Sequence, residues 1–270
     1  MMLMSHPHPH GVSRLSYSLA RRLGLSVLLA GFCLWWGAGQ AAAPDYSDLD
    51  AVLLRNVQRG FVDYAGIRAD PAFARFMASL GETRPEDATD NRARGALLIN
   101  AYNAFAIQGI LDGYSPSSRL KRYSFFRRRE YRLMGESTTL DELEHRQLTA
   151  LGDPRIHFAI VCASISCPRL ASRAYVPARL EEQLDLAARA FINDKTRNRY
   201  DVQRKIAFVS KIFDWYGKDF AASAGSVQKY LAGYVGDPAA AALLAAGGFE
   251  LRFVPYDWEL NGTLPNRTGP

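Results

Sequence analysis

Arg94-Gly-Ala-Leu-Leu-Ile-Asn100-Ala-Tyr-Asn103-Ala-Phe-Ala-Ile-Gln-Gly-Ile-Leu111 is the stretch on which the fold turns. It is apolar nearly all the way round the helical period, which predicts a helix buried on every side at the centre of a domain. Asn100 and Asn103 lie three apart and share one of its faces, with Tyr102 nearby. An asparagine in such surroundings must find hydrogen-bond partners. Two kinds are open to it: loop backbone, which the amides would bridge, or a peptide or amide ligand.

Working outward, period and capping signals predict helices over residues 48–59 and 71–80. Residues 121–126 and 131–134, with arginines between them, predict a hairpin. Thr138 or Thr139 then caps a helix reaching Leu151, with Asp141 or Glu142 three residues on, as a capping box requires. After the break at Asp153-Pro154, residues 155–162 read as a continuous apolar strand with one polar intrusion, His157. A long helix over 177–193, a strand over 206–209 and a helix over 212–220 follow. An alanine-rich helix from Pro238 is closed by Gly247-Gly248, and residues 250–254 alternate as a strand does. Helices outnumber strands and are not regularly interleaved with them. The expected class is α+β: a helix-rich single domain with a small antiparallel sheet packed on the buried central helix.

The N-terminus has a different character. Residues 1–22 carry Arg14, Arg21 and Arg22 and no acid, and a short apolar run, residues 23–36, follows them. Small residues come next, at Gly39-Gln40-Ala41-Ala42-Ala43. This order reads as a signal peptide over 1–43, with the domain over 44–270 and a periplasmic or secreted destination. The run is too short and glycine-broken to be a comfortable membrane span. Phe32 stands where a lipoprotein box would need its cysteine, so no stable anchor is expected after cleavage. Sec and twin-arginine export both stay open. Removing 1–43 lowers the formal charge from +6 to +3, which argues against nucleic acid as a partner.

Beyond the signal the chain holds two histidines, His145 and His157, and two cysteines, Cys162 and Cys167. Histidine- or thiol-based chemistry must use these. No GxSxG, P-loop, Rossmann or HExxH motif is present. On a regular helix over 139–151, Leu140, Leu143, Leu148 and Leu151 define an apolar face that includes Glu144 and is flanked by His145. A carboxylate turned into a core needs an ion pair, hydrogen bonds or a raised pKa. A structural ion pair with an arginine and a tuned group in a site are both open. An extended strand would put His157 and Cys162 on opposite faces, leaving His145 as the better partner for Cys162. The two cysteines could close a small disulfide, supply an activated thiolate, or lie buried and inert. A reversible pair satisfies the first two readings together. A zinc site would need a C-x4-C spacing at the loose end of the usual range, and neither metal nor cofactor is expected.

Seven ordered motifs then stand out: Gly60-Phe-Val-Asp-Tyr64, Leu98-Ile-Asn-Ala-Tyr-Asn103, Thr139-Leu140 with Glu144-His145, Asp153-Pro-Arg-Ile-His-Phe-Ala159, Cys162 with Ser166-Cys-Pro168, Ser210-Lys-Ile-Phe213 with Trp215-Tyr216, and Tyr256-Asp-Trp258 with Leu260-Asn261. Together they resemble the family called domain of unknown function 547, over nearly all of the expected domain. The resemblance implies a fold like a distant papain or transglutaminase relative. In that light Cys162, His145 and Glu144 look like nucleophile, base and orienter, with Asn100, Asn103, His157 and Cys167 as ligand contacts. The expected function is a thiol-dependent enzyme, possible as a cysteine peptidase-like hydrolase, or a protein binding a small thiol or peptide such as a glutathione-like ligand. The rival expectation is an inactive papain-like binding or accessory domain stabilised by a Cys162–Cys167 disulfide.

Overall fold

The computed structural model describes residues 44–264, so the expected signal segment lies outside the described residues. The quoted stretch forms a helix, Asn91–Leu111, begun by Asp90, whose carboxylate accepts from the Arg92 and Ala93 N–H groups. Seventeen of its residues are buried, in keeping with a helix that is apolar all round. Gly109 permits the closest approach to it, since a Cβ there would lie 2.7 Å from the Tyr131 hydroxyl and 2.9 Å from the Phe125 ring.

Around this helix pack Ser47–Asn56, Pro71–Glu82 and the hairpin Tyr131–Leu133 with Glu136–Thr138. A second core lies between the helix Leu180–Ile192 and the C-terminal helices, where Phe158, Phe191, Phe213 and Phe220 stack on one another. The helix-rich α+β class holds. The sheet, however, is not one antiparallel layer on the central helix. There are three small sheets among the described residues, two of them mixed. Phe61–Asp63 pairs antiparallel with Val57–Gln58 and parallel with Gly262–Thr263, while Ile206–Val209 pairs antiparallel with Arg199–Asp201 and parallel with Glu250–Phe253. Ala207 and Val209 of that last sheet belong to the second core.

Two local expectations are corrected. Residues 119–128 form a short helix, Arg119–Tyr123, that continues into a π-helical turn, Ser124–Arg128, and the hairpin begins only at Tyr131. Residues 155–162 are not a strand. Asp153 caps a 3-10 helix, Pro154–Phe158, by accepting from the Arg155 N–H at 2.9 Å, and irregular chain follows. An apolar run alone does not separate a strand from a buried helical turn, and here the Asp-Pro start decides for the turn.

The irregular chain is held by side-chain amides. Asn103 donates to the Ala159 carbonyl (2.9 Å) and accepts from the Val161 N–H (2.9 Å). Asn100 likewise takes the carbonyl (2.7 Å) and N–H (2.9 Å) of Tyr175. Both amides thus serve the chain's own backbone, correcting the expectation that they contact ligand. Truncating Asn103 strands a buried donor and a buried acceptor. Asn103→Ala is expected to cost about 2–5 kcal/mol, seen as a lower urea midpoint. Asn193, which is exposed, makes the same kind of clamp on the Tyr234 carbonyl (2.9 Å) and the Gly236 N–H (2.7 Å), and there Asn193→Ala is expected to cost less than about 1 kcal/mol. Similar midpoints for the two variants would show that the buried clamp carries no special weight.

Candidate functional site

The helix expected over 139–151 starts as predicted, with a capping box. Thr139 Oγ1 accepts from the Glu142 N–H (3.2 Å), and Glu142 accepts from the Thr139 N–H (3.2 Å). It then widens into a π-helical turn, Leu143–Leu148, in which the Thr149 N–H reaches back five residues to the Glu144 carbonyl. Such turns recur at functional sites because they rotate side chains off the regular helical register. Glu144 points inward and is 5% exposed. Tyr102 of the central helix donates to Glu144 Oε2 (2.9 Å), and Tyr216 donates to Oε1. The buried carboxylate is therefore satisfied by two phenols, not by an arginine and not as the orienter of His145. Burial and the nearby carboxylate raise both phenols well above their ordinary pKa, so they remain donors.

His145 turns the other way. Its side chain is 56% exposed, and Nδ1–H donates to the Asp141 carbonyl at 3.0 Å. It lines an outer cleft and not the small pocket that holds the sulfurs. The histidine that shares the pocket with the sulfurs is His157, because the 3-10 turn replaces the alternation that would have separated it from Cys162. Its ring stacks on Tyr216 with centroids 3.8 Å apart, and Nε2 lies 2.8 Å from an Asp219 carboxylate oxygen. A carboxylate only accepts, so Nε2 carries the proton and the buried Nδ1, which has no protein partner, presents a lone pair. Burial lowers the pKa of His157, although Asp219 and Glu144 pull it back up. The ring is neutral at neutral pH.

Cys162 and Cys167 are joined as a disulfide with Cα atoms 6.3 Å apart, inside the normal span. The pair is asymmetric: Cys162 is partly exposed and Cys167 only 2%. Three donors gather at the buried sulfur. The Cys162 N–H lies 3.0 Å from Cys167 Sγ, the Tyr256 hydroxyl 3.2 Å and the Ser164 hydroxyl 3.3 Å. The same hydroxyls lie 3.3 Å and 3.1 Å from Cys162 Sγ. Burial pushes Tyr256 up to about 12, which keeps it a donor. Ala163 holds a left-handed φ of 59°, unusual for a residue with a Cβ, and this turn carries the Ser164 hydroxyl under both sulfurs. From behind, Arg197 donates to the carbonyls of Cys167 (2.9 Å) and Ile165 (2.7 Å).

The sulfur pocket is small, about 70 Å³, and shares Phe126, Glu144, Trp215, Tyr216 and Trp258 with the outer cleft of about 370 Å³. Tyr256 joins the two through its ring contacts with Trp215 (4.8 Å) and Trp258 (4.5 Å). In the sequence Trp215, Tyr216, Tyr256 and Trp258 stand out only as members of the motifs that carry the family resemblance; Asp219 and Ser164 carry no signal. Among the described residues no cluster of histidine, cysteine and carboxylate is arranged to hold a metal ion.

Residues 86–192 match the model of the family described as "Protein of unknown function, DUF547". No curated protein and no solved structure matches the chain. The matched segment contains the central helix with both asparagines, Glu144, His145, His157 and both disulfide cysteines, and over it the chain is similar to the DUF547 family.

Proposed function

We propose that this protein is an exported thiol–disulfide exchange protein whose reactive group is the Cys162–Cys167 pair and whose partner is a small thiol or a thiol-bearing peptide. The observation that carries the reading is the asymmetry of the two sulfurs. Cys162 can be approached from the pocket, while Cys167 is buried where three donors can stabilise a departing charge. Exchange needs this arrangement: an accessible sulfur to be attacked, and a leaving sulfur whose thiolate is stabilised.

In the first step the incoming thiol gives its proton to His157 Nδ1, and its thiolate attacks Cys162 Sγ. A new bond forms between substrate sulfur and Cys162 as the Cys162–Cys167 bond breaks, and the electron pair leaves on Cys167. A second substrate thiol then attacks the substrate sulfur of the mixed disulfide. The substrate disulfide departs, two thiols having been oxidised, and Cys162 and Cys167 take up the two protons. Glu144 does not touch a sulfur in this scheme. It fixes Tyr102 and Tyr216, and through Tyr216 the face of His157. An exported protein would meet the oxidising surroundings in which such a pair is re-formed.

Peptide hydrolysis with Cys162 as nucleophile would need the disulfide opened and a base other than His145. A second reading is favoured by one observation. Residues 163–166 are pinned to residues 257–261 by backbone bonds from Ile165 to Glu259 (2.8 Å) and from Ser166 to Asp257 (3.2 Å). A loop so fixed suits an accessory domain that binds peptide and keeps the disulfide as a staple.

Trapping separates the two. Cys167→Ser frees Cys162 and is expected to accumulate a mixed disulfide with oxidised glutathione, read by mass spectrometry. Cys162→Ser is expected to do so about tenfold more slowly, because Cys167 is buried. A native protein whose disulfide resists millimolar thiol until it is unfolded would leave only the staple. A second expectation concerns pH. The buried His157 refuses a proton that the unfolded chain accepts below its ordinary pKa of 6.5, so its contribution to stability is full above that value and is lost as pH falls below it. Between about pH 7 and about pH 5, His157→Gln is therefore expected to show a shallower fall in unfolding free energy than the native protein. Parallel slopes in urea titrations would contradict a buried neutral ring.

A further inference from the structure

The outer cleft carries one feature that disulfide exchange does not by itself require. Two π-helical turns frame it, Ser124–Arg128 and Leu143–Leu148, tied together by the Arg127–Asp141 ion pair at 3.0 Å. His145 lies 3.7 Å from the same Asp141 carboxylate. Arg127 is thus already paired, and Glu144, which also lines the cleft, is held by two phenols. Arg122, on the helix that leads into the first turn, is different. Among the described residues it has no carboxylate partner, and its side chain makes one hydrogen bond, to the Pro116 carbonyl at 3.2 Å. Its guanidinium lies over the Trp258 ring, 4.4 Å from the centroid. Trp258 in turn contacts Tyr256, whose hydroxyl touches both sulfurs.

A guanidinium has five N–H donors in a flat fork that suits a carboxylate. Laid on an indole face it keeps a fixed orientation, and one indole and one phenol separate it from the reactive bond. The volume of about 370 Å³ falls within the range of small-molecule sites. Along the cleft a ligand would meet indole faces, which accept the flat amide groups of a short peptide, and at its far end the spare donors of Arg122.

We infer that this cleft is the substrate site for a small peptide thiol bearing a carboxylate, with Arg122 holding the carboxylate while the thiol reaches Cys162; the inference rests on the exchange reading above. Arg122 is thus a specificity residue, and the site favours anionic peptide thiols over neutral thiols of similar reactivity.

Two measurements on the full chain test it. First, the second-order rate of opening of the Cys162–Cys167 bond is followed with glutathione and with β-mercaptoethanol. In Arg122→Gln the ratio of the two rate constants is expected to fall about tenfold, which corresponds to about 1.4 kcal/mol of lost charge-assisted binding, and the ratio in the native protein to shrink as salt is added. An unchanged ratio would overturn the assignment. Second, S-methylglutathione, which has the carboxylates but no thiol, is titrated calorimetrically. It is expected to bind the native protein and to bind Arg122→Gln about tenfold more weakly. Failure of the native protein to bind it overturns the substrate site. Binding together with a disulfide inert to both thiols would instead sink the exchange reading and leave a peptide-binding cleft.

Discussion

Buried backbone that forms neither helix nor sheet still has to satisfy its N–H and C=O groups, and in this fold side-chain amides of the central helix meet that requirement. Asn100 and Asn103 each take one N–H and one C=O from chain that carries no ladder, as a neighbouring strand would. The device recurs at Gln183 on Ala174 and Val176, at Asn193 on Tyr234 and Gly236, and at Gln228 on Phe249. Three small sheets suffice because amides replace the missing strands. The consequence for the site is direct. The Val161 N–H held by Asn103 immediately precedes Cys162, so the disulfide loop takes its position from the helix at the centre of the fold.

This also accounts for what the sequence disclosed. The all-round apolar helix with two asparagines on one face was legible because burial and helical period are local properties of the chain, and the capping box at Thr139 was legible for the same reason. The strand over 155–162 was not, since an apolar run looks alike in an extended segment and in a buried turn. That one error carried the chemistry with it. Strand alternation separates His157 from Cys162, whereas the 3-10 turn brings both into one pocket and leaves His145 outside. The partners of Glu144 were invisible for a different reason: Tyr102 and Tyr216 lie 42 and 72 residues away along the chain.

Glu144 shows how a carboxylate survives in a core without a cation. Hydrogen bonds to a charged group are each worth about 1.5–3 kcal/mol, and two of them offset much of a desolvation penalty of several kcal/mol. Phenols suit the purpose better than arginine here. They bring no charge that would cancel the field of the carboxylate, and the phenol of Tyr216 also places an aromatic face against His157. The negative charge of Glu144, together with that of Asp219, opposes the burial that depresses His157. Burial, the larger effect, keeps the imidazole neutral, and the two carboxylates oppose it.

The same field bears on the sulfurs, which share a pocket with Glu144. A thiolate facing a buried carboxylate is disfavoured, so charge should not rest on the sulfur exposed to the pocket. Arg197, always protonated, donates to the Cys167 carbonyl, and its ion pair with Asp194 at 2.6 Å holds it there. Cys167 lies buried against the Cys162 N–H and the two hydroxyls, while Cys162 shares those hydroxyls and is the more exposed sulfur in the pocket that Glu144 and His157 line. If the bond breaks, the Cys162 N–H is the donor that serves Cys167 alone. A structural staple has no need of that polarity, whereas an exchange reaction depends on it, because the sulfur attacked and the sulfur released must differ.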